Sequence, residues 1–269
     1  MSLACTRHES VERANLPPLV WAHRGSHGPG GPIENTLEAF ARARSDGADG
    51  VELDVMRCAS GEVVVFHDYD LARLAGRPHT IRETPWSELR GISFGDGSRI
   101  PLLVDVLDSL GPLACNVELK SAHAWGPRFV DDGLAGAVAS LLSGHPSRSQ
   151  ILVSSFDPLL LLRFRRQLPT LPLALLFGAE QAWPFRRAWP ARLVRPEAVH
   201  PEAALVDVTS MRRWRALGYR VNVWTVDEPA VLRWLWALGV DGVITNRPAV
   251  ARRVFAELDS TVLGSRHGG

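Results

Sequence analysis

The chain has 269 residues, 46% of them hydrophobic and 22% charged, and a formal net charge of +1. This is the composition of an ordinary globular protein, and the balanced charge excludes the broad basic field by which a whole chain seeks nucleic acid. No apolar run reaches the roughly 18 to 20 residues of a spanning helix, and the polar start "MSLACTRHESVERANLPP" lacks the apolar stretch of a secretory leader. The expectation is therefore a cytoplasmic protein with no stable membrane insertion.

In chain order, strands are predicted at "LVWAH" (19–23), "GVELDV" (50–55), "VVVFHD" (63–68), "CNVELK" (115–120), "ILVSSF" (151–156), "LALLFG" (173–178), "AALVDV" (203–208), "VNVWTV" (221–226) and "GVITN" (242–246). Several are rich in Val, Ile and Leu without clean alternation, as strands buried on both faces should be. Helical patterns fall between most of them, at 35–47, 134–144, 158–168, 210–218 and 228–239. Repeated strand–helix units with no break in composition predict an α/β fold, a single TIM (β/α)8 barrel. The expected boundaries are an N-terminal extension over 1–18, the barrel over 19–255 and a C-terminal tail over 256–269.

There are nine candidate strands for eight barrel positions. The link between 55 and 63 is shorter than the roughly dozen residues of a helical crossover. One of that pair, or the 203–208 segment, is therefore expected outside the regular barrel. The stretch "AEQAWPFRRAWPARLVRPEAVHPE" (179–202) also departs from the pattern, with Trp183, Phe185 and Trp189 among arginines and prolines. It predicts either a short helix covering the barrel or a rim loop that meets an amphipathic substrate or a membrane interface. Cys5, Cys58 and Cys115 are irregularly spaced, which fits free thiols rather than a disulfide framework or a zinc site.

Barrel chemistry sits at the C-terminal ends of the strands. The first strand ends in His23-Arg24, and the third in His67-Asp68. On the second, Glu52 and Asp54 are two residues apart and share a face, about 6.5 to 7 Å apart along the strand. The fourth carries Glu118 and Lys120 at the same spacing. Buried carboxylates are costly unless positive charge lies between them. Glu52, Asp54 and Glu118 together offer an oxygen ligand set suited to a hard divalent cation, Mg²⁺ or Ca²⁺. Zinc fits less well, because no Cys/His cluster has ligand spacing. His23 and His67 are candidates for general acid and base. Arg24 and Lys120 add fixed positive charge for an anionic substrate, and the set as a whole reads as a phosphoryl site. Positive charge is written 29 times as arginine and once as lysine, at Lys120. A compact ammonium fits beside a metal and Glu118 where the planar guanidinium fork lacks room.

With these residues in place, the chain resembles the glycerophosphodiester phosphodiesterases, of the phospholipase C-like phosphodiesterase type. The resemblance rests on "AHRG" (22–25), "ENTLEAF" (34–40), "GADGVELDV" (47–55) and "VVVFHDYDLAR" (63–73). It continues in order through "IPLLVDVL", "NVELK", "VSSFDPLLL", "VNVWTVDEP" and "DGVITNRP" to about residue 250. It implies a TIM barrel and metal-dependent cleavage of a glycerophosphodiester to glycerol 3-phosphate and an alcohol, a reaction of glycerol and lipid metabolism. Glu52, Asp54 and Glu118 match the family's metal ligands, His23 and His67 its acid and base, and Arg24 and Lys120 its phosphate contacts. Trp224 matches an aromatic that flanks the substrate, core packing being its alternative role. Which histidine acts first, and whether the glycerol 2-hydroxyl or water attacks phosphorus, stays open.

Ile33 stands where the family usually has Pro or Ala, and "CASG" (58–61) replaces its usual turn. The loop "GSHGPGGP" (25–32) could mould to a phosphate or serve as a connector, and its His27 is not counted as catalytic. The expected partner is a small glycerophosphodiester. The alternative is a lysophospholipid, cleaved as by a lysophospholipase D, which the aromatic 179–202 stretch would favour. A non-catalytic phosphodiester-binding barrel is disfavoured by the paired acid and base, which a sensor does not need. Oligomeric state is not legible.

Overall fold

The structure, a computed structural model, describes residues 17–121 and 131–266, the side chains of 261–266 excepted. Most of the expected N-terminal extension, with Cys5, and the last residues of the expected tail lie outside the described residues. Nine strands form among the described residues: β1 (Leu19–His23), β2 (Gly50–Arg57), β3 (Val63–Val65), β4 (Ala114–Leu119), β5 (Ile151–Ser155), β6 (Leu173–Phe177), β7 (Ala198–Pro201), β8 (Arg220–Val223) and β9 (Gly242–Thr245). Eight of them run parallel in the cyclic order β1–β2–β4–β5–β6–β7–β8–β9, and β9 pairs with β1 to close the barrel. The expected TIM barrel is what forms.

The surplus strand falls outside the ring as expected, and one predicted strand is replaced by another. β3 pairs antiparallel with β2, Val55 opposite Val65 and Arg57 opposite Val63, so it is a hairpin return outside the barrel ring. The predicted strand at 203–208 does not form. The seventh barrel strand is Ala198–Pro201, and the chain then makes a 3₁₀ turn over Ala203–Leu205 and enters a helix at Val208. The reason is local: the Asp207 carboxylate accepts from the Ser210 amide while the Ser210 hydroxyl accepts from the Asp207 amide, a reciprocal cap that ends any strand there.

Helices Leu37–Ser45, Leu103–Ser109, Leu134–Ser143, Pro158–Gln167, Val208–Ala216, Pro229–Leu238 and Pro248–Arg266 cover the ring. Their starts follow from side-chain caps, Thr36 and Asp157 accepting from backbone amides, and from Pro158 and Pro229 in the first turn. Between β6 and β7 there are only two single turns, Trp183–Arg186 and Ala191–Val194. The 179–202 stretch is thus mostly crossover, with a barrel strand at its end.

The strands bury both faces. Val20, Ala22, Val51, Leu53, Val117 and Val153 belong to the layer shared with the helices. The alternate residues Trp21, Leu152, Ala174, Ala198 and Ile244 form a separate cluster in the lumen. Trp21 plugs the floor. A Cβ at Gly50 would lie 2.6 Å from its ring, so that strand position admits only glycine. The β2–β3 hairpin and the chain up to residue 102 carry a satellite core of Met56, Val64, Phe66, Leu71, Ile81, Leu89, Ile92 and Phe94. This core holds the β3 end against the barrel mouth.

Candidate active site

Register places the charged residues side by side. His23 of β1 is opposite Glu52 of β2, and Asp54 of β2 is opposite Glu118 of β4. Lys120 follows directly after β4, its amide donating to the Val55 carbonyl at 3.1 Å. The antiparallel return of β3 supplies the remaining member. Phe66 donates its amide to the Asp54 carbonyl at 3.0 Å, so the next residue, His67, is delivered to the mouth beside β2. Seven of the eight residues singled out from the sequence therefore meet at one edge of the barrel: His23, Arg24, Glu52, Asp54, His67, Glu118 and Lys120. Trp224, just after β8, stands across the mouth instead. Its indole N–H donates to the His200 carbonyl at 2.8 Å, and its ring meets Phe156 edge-on at 5.4 Å between centroids.

The turn after β1 shows why His-Arg-Gly is required there. Arg24 adopts φ 54° and Gly25 φ 82°. A Cβ on Gly25 would lie 2.8 Å from the Ala39 backbone, so only glycine lets the chain pass this helix. The tight turn aims the Arg24 amide at Glu52 Oε2, 3.1 Å away, and its guanidinium Nε at Asp54 Oδ2, 3.3 Å away. The Glu-Asn-Thr run divides its work among three side chains. Glu34 accepts from Arg24 at 2.9 Å and from Arg73 at 2.6 Å. Buried Asn35, itself at φ 58°, donates Nδ2 to Asp54 Oδ2 at 2.9 Å. Thr36 caps the following helix.

Glu52, Asp54 and Glu118 are all buried, and one carboxylate oxygen from each lies within 4.8 Å of the others. Lys120 Nζ sits 3.4 Å from Asp54 Oδ1 and 3.3 Å from Glu118 Oε1. Burial pushes all three carboxyls up. At Asp54, Lys120 and Arg24 outweigh burial and hold the group well below the usual carboxylate range. At Glu52, burial is reinforced by Asp54 and Glu118 and drives the carboxyl well above that range. Glu118 is also raised, burial exceeding the pull of Lys120. Arg24 and Lys120 thus neutralise only part of the cluster, and the leftover negative charge is what an oxygen-seeking divalent cation would satisfy. The buried all-oxygen donor set fits such an ion.

Each histidine is oriented by a carboxylate, one directly and one through an amide. His67 Nδ1 is 2.7 Å from Asp68 Oδ1, and Asp68 Oδ2 accepts from Arg73 Nε at 2.6 Å. His23 Nδ1 is 2.7 Å from Asn246 Oδ1. Asn246 donates its Nδ2 to Asp227 Oδ2 at 2.7 Å, which leaves its oxygen to accept, so His23 Nδ1 carries the hydrogen. In both rings Nε2 is left for chemistry, and that of His23 lies 3.9 Å from Glu52 Oε2. Burial, helped by Arg24, lowers the His23 pKa to about 4. Burial also lowers that of His67, with Asp54 and Asp68 opposing it.

Glu34, Asn35, Asp68, Arg73, Asp227 and Asn246 belong to the site but were not singled out from the sequence. The signal was present, since "ENTLEAF", "HDYDLAR", "VDEP" and "TNRP" contain them. Their tasks, bracing and orienting, become visible only when distant loops meet.

Over residues 23–250 the chain matches the model of the glycerophosphoryl diester phosphodiesterase family. It belongs to that family. Among its relatives in this family is the glycerophosphodiester phosphodiesterase of Caldanaerobacter subterraneus subsp. tengcongensis, 30% identical over 87% of this chain and 96% of that protein. The crystal structure of the family's Thermotoga maritima enzyme is 30% identical, with a TM-score of 0.70 over 90% of this chain and 98% of that one. An Oleispira antarctica phosphodiesterase, solved with its product sn-glycerol 3-phosphate, is 25% identical, with a TM-score of 0.79 over 91% and 99%.

Proposed function

We propose that the chain hydrolyses glycerophosphodiesters to glycerol 3-phosphate and an alcohol, with Glu52, Asp54 and Glu118 holding Mg²⁺ or Ca²⁺. Activity of this kind in its relatives supports the reaction class. The observation that carries the residue roles is the cluster of three buried carboxylates, flanked by two histidines whose free Nε2 atoms serve the same edge. When bound, the cation supplies Lewis-acid polarisation of the phosphoryl oxygens. Arg24 and Lys120 neutralise the remaining phosphate charge and hold it in place against β2 and β4.

The histidines are unequal. His23, neutral down to about pH 4, cannot offer a proton near neutrality and acts as the proton acceptor for the attacking hydroxyl. The Asp68 carboxylate on the far nitrogen of His67 opposes the lowering that burial imposes, so of the two histidines His67 is the better placed to carry a proton, and it protonates the leaving oxygen. Trp224 and Phe156 form an apolar wall against the glycerol or head group. Release of glycerol 3-phosphate from glycerophosphocholine, abolished by EDTA and restored by Mg²⁺ or Ca²⁺, is the expected outcome. Release at the full rate in excess EDTA would remove the cation from the mechanism.

A lysophospholipid is a second substrate reading, favoured by the exposed Trp183 and Trp189 on the rim after β6. Comparing turnover of glycerophosphocholine and lysophosphatidylcholine separates the two.

A further inference from the structure

The crossover from β6 to β7 leaves the barrel at its active-site end and descends beside the helix from Val208 to the start of β7, and it is unlike the rest of the surface. Seven large hydrophobic side chains are exposed among the described residues, and three of them, Trp183, Trp189 and Leu193, fall in this one segment at 46%, 46% and 64% exposure. Trp183 and Trp189 pack edge to face with centroids 4.8 Å apart. The Arg187 guanidinium stands over the Trp183 ring at 4.9 Å. Residues 179–196 contain four arginines and a single acid, Glu180. Arg186, Arg187 and Arg192 are exposed, and none is ion-paired with a described residue. Beside Arg186 and Arg187 opens a groove of about 450 Å³ against the helix from Val208, where Arg213 adds another guanidinium and Asp207, which caps that helix, a carboxylate.

The segment is continuous with the barrel mouth. The Ala179 amide donates to Glu202 Oε2 at 2.7 Å, and a Cβ on Gly178 would meet the Trp224 ring at 3.4 Å. The start of the crossover is therefore fixed to the edge of the mouth. Paired exposed tryptophans suit the headgroup layer of a bilayer, where an amphipathic ring has one face apolar and one edge wet. Arginine forks match phosphate oxygens, and the attraction of a basic patch is directed toward anionic lipid. With a whole-chain net charge of only +1, that attraction comes from this patch rather than from the molecule's overall field.

We propose that the β6–β7 crossover is a peripheral docking surface for anionic lipid bilayers. Trp183 and Trp189 enter the headgroup layer, and Arg186 and Arg187 contact lipid phosphates, so that the mouth end of the crossover faces the membrane plane. This is independent of which phosphodiester is cleaved.

The test is co-sedimentation of the purified full chain with phosphatidylcholine vesicles, with and without phosphatidylglycerol. Partitioning that requires phosphatidylglycerol and weakens with added salt is expected. W183A/W189A and R186S/R187S should each reduce it by about tenfold or more, with turnover of soluble glycerophosphocholine unchanged. All four side chains are exposed, so both variants are expected to fold, which thermal melts check. If one pair fails to fold, the other decides. Equal or absent binding to both vesicle types would overturn the proposal, as would wild-type partitioning by a folded variant. Displacement from vesicles by inorganic phosphate at matched ionic strength would also overturn it, reducing the groove to a site for one soluble anion. Loss of turnover with vesicle binding intact counts against the proposed chemistry and leaves the docking surface standing.

Discussion

The two sides of the barrel mouth are built on opposite principles. On the β1–β2–β4 side, nearly every side chain is charged and tied to another. Asp54 meets Arg24, Asn35 and Lys120; Arg24 meets Glu34; Glu34 meets Arg73; and Arg73 meets the Asp68 that orients His67. On the β5–β8 side, Phe156 and Trp224 pack edge to face, and the rim beyond them is aromatic and arginine-rich. The first side can hold an ion and a phosphate in one fixed arrangement, because moving any member leaves a buried charge unpaired. The second side offers shape and apolar contact, which tolerates substitution. On the proposed reading, bond cleavage falls to the first and substrate selection to Phe156 and Trp224 of the second, and mutations at the two places should differ in kind.

The largest effects are expected among the carboxylates. Glu52→Gln or Glu118→Gln should lower turnover by about 10³-fold or more while the protein stays folded, since glutamine keeps the shape and removes only a charge that burial already disfavours. Steady-state kinetics with a thermal melt checks both parts, and wild-type turnover would remove that residue from the ligand set. Next come the histidines. His23→Asn or His67→Asn should cost about 10² to 10⁴ in kcat. A smaller loss follows for Lys120→Arg, about ten- to a hundredfold, because the fork cannot occupy the point 3.4 Å from Asp54 and 3.3 Å from Glu118. Wild-type turnover of K120R would show that the lone lysine has no steric cause.

Asp68→Asn should change the pH profile more than the maximum rate. Asp68 raises the His67 pKa, so removing its charge lowers that pKa. If His67 donates a proton in its charged form, the alkaline limb moves toward lower pH, while the acid limb set by His23 stays in place. Movement of the acid limb alone would exchange the two roles. The smallest effect is expected across the mouth, where Trp224→Ala should raise KM about three- to tenfold with kcat nearly unchanged. A large fall in kcat there would erase the distinction between the two sides.

Much of the charged side was legible in the sequence, because a parallel strand exposes its i and i+2 residues to one place. Glu52 with Asp54, and Glu118 with Lys120, could be placed without knowing any loop. The bracing residues could not. Asn35 reaches Asp54 only through the left-handed loop after β1, and Asn246, 223 residues from the His23 it orients, arrives only through the closure of β9 onto β1. The seventh strand was misplaced for a different reason. Ala198–Pro201 is four residues long and contains His200 and Pro201, so it has no apolar run to announce it. The apolar "AALV" that follows looked like the better strand, yet Asp207 and Ser210 cap a helix just beyond it. His200 is buried in the lumen, held by Asn222 at 2.9 Å, and burial lowers its pKa to about 3, so it stays neutral there.

The central claim is that Glu52, Asp54 and Glu118 form one cation site that the reaction requires. The most direct measurement is calorimetric titration of EDTA-treated protein with Mg²⁺ or Ca²⁺, alongside glycerol 3-phosphate release on the same samples. One bound ion per chain, absent in E52Q and E118Q, with release rising in step with occupancy, is the predicted result. Full release by protein that binds no divalent cation, or unchanged binding in both variants, would contradict it.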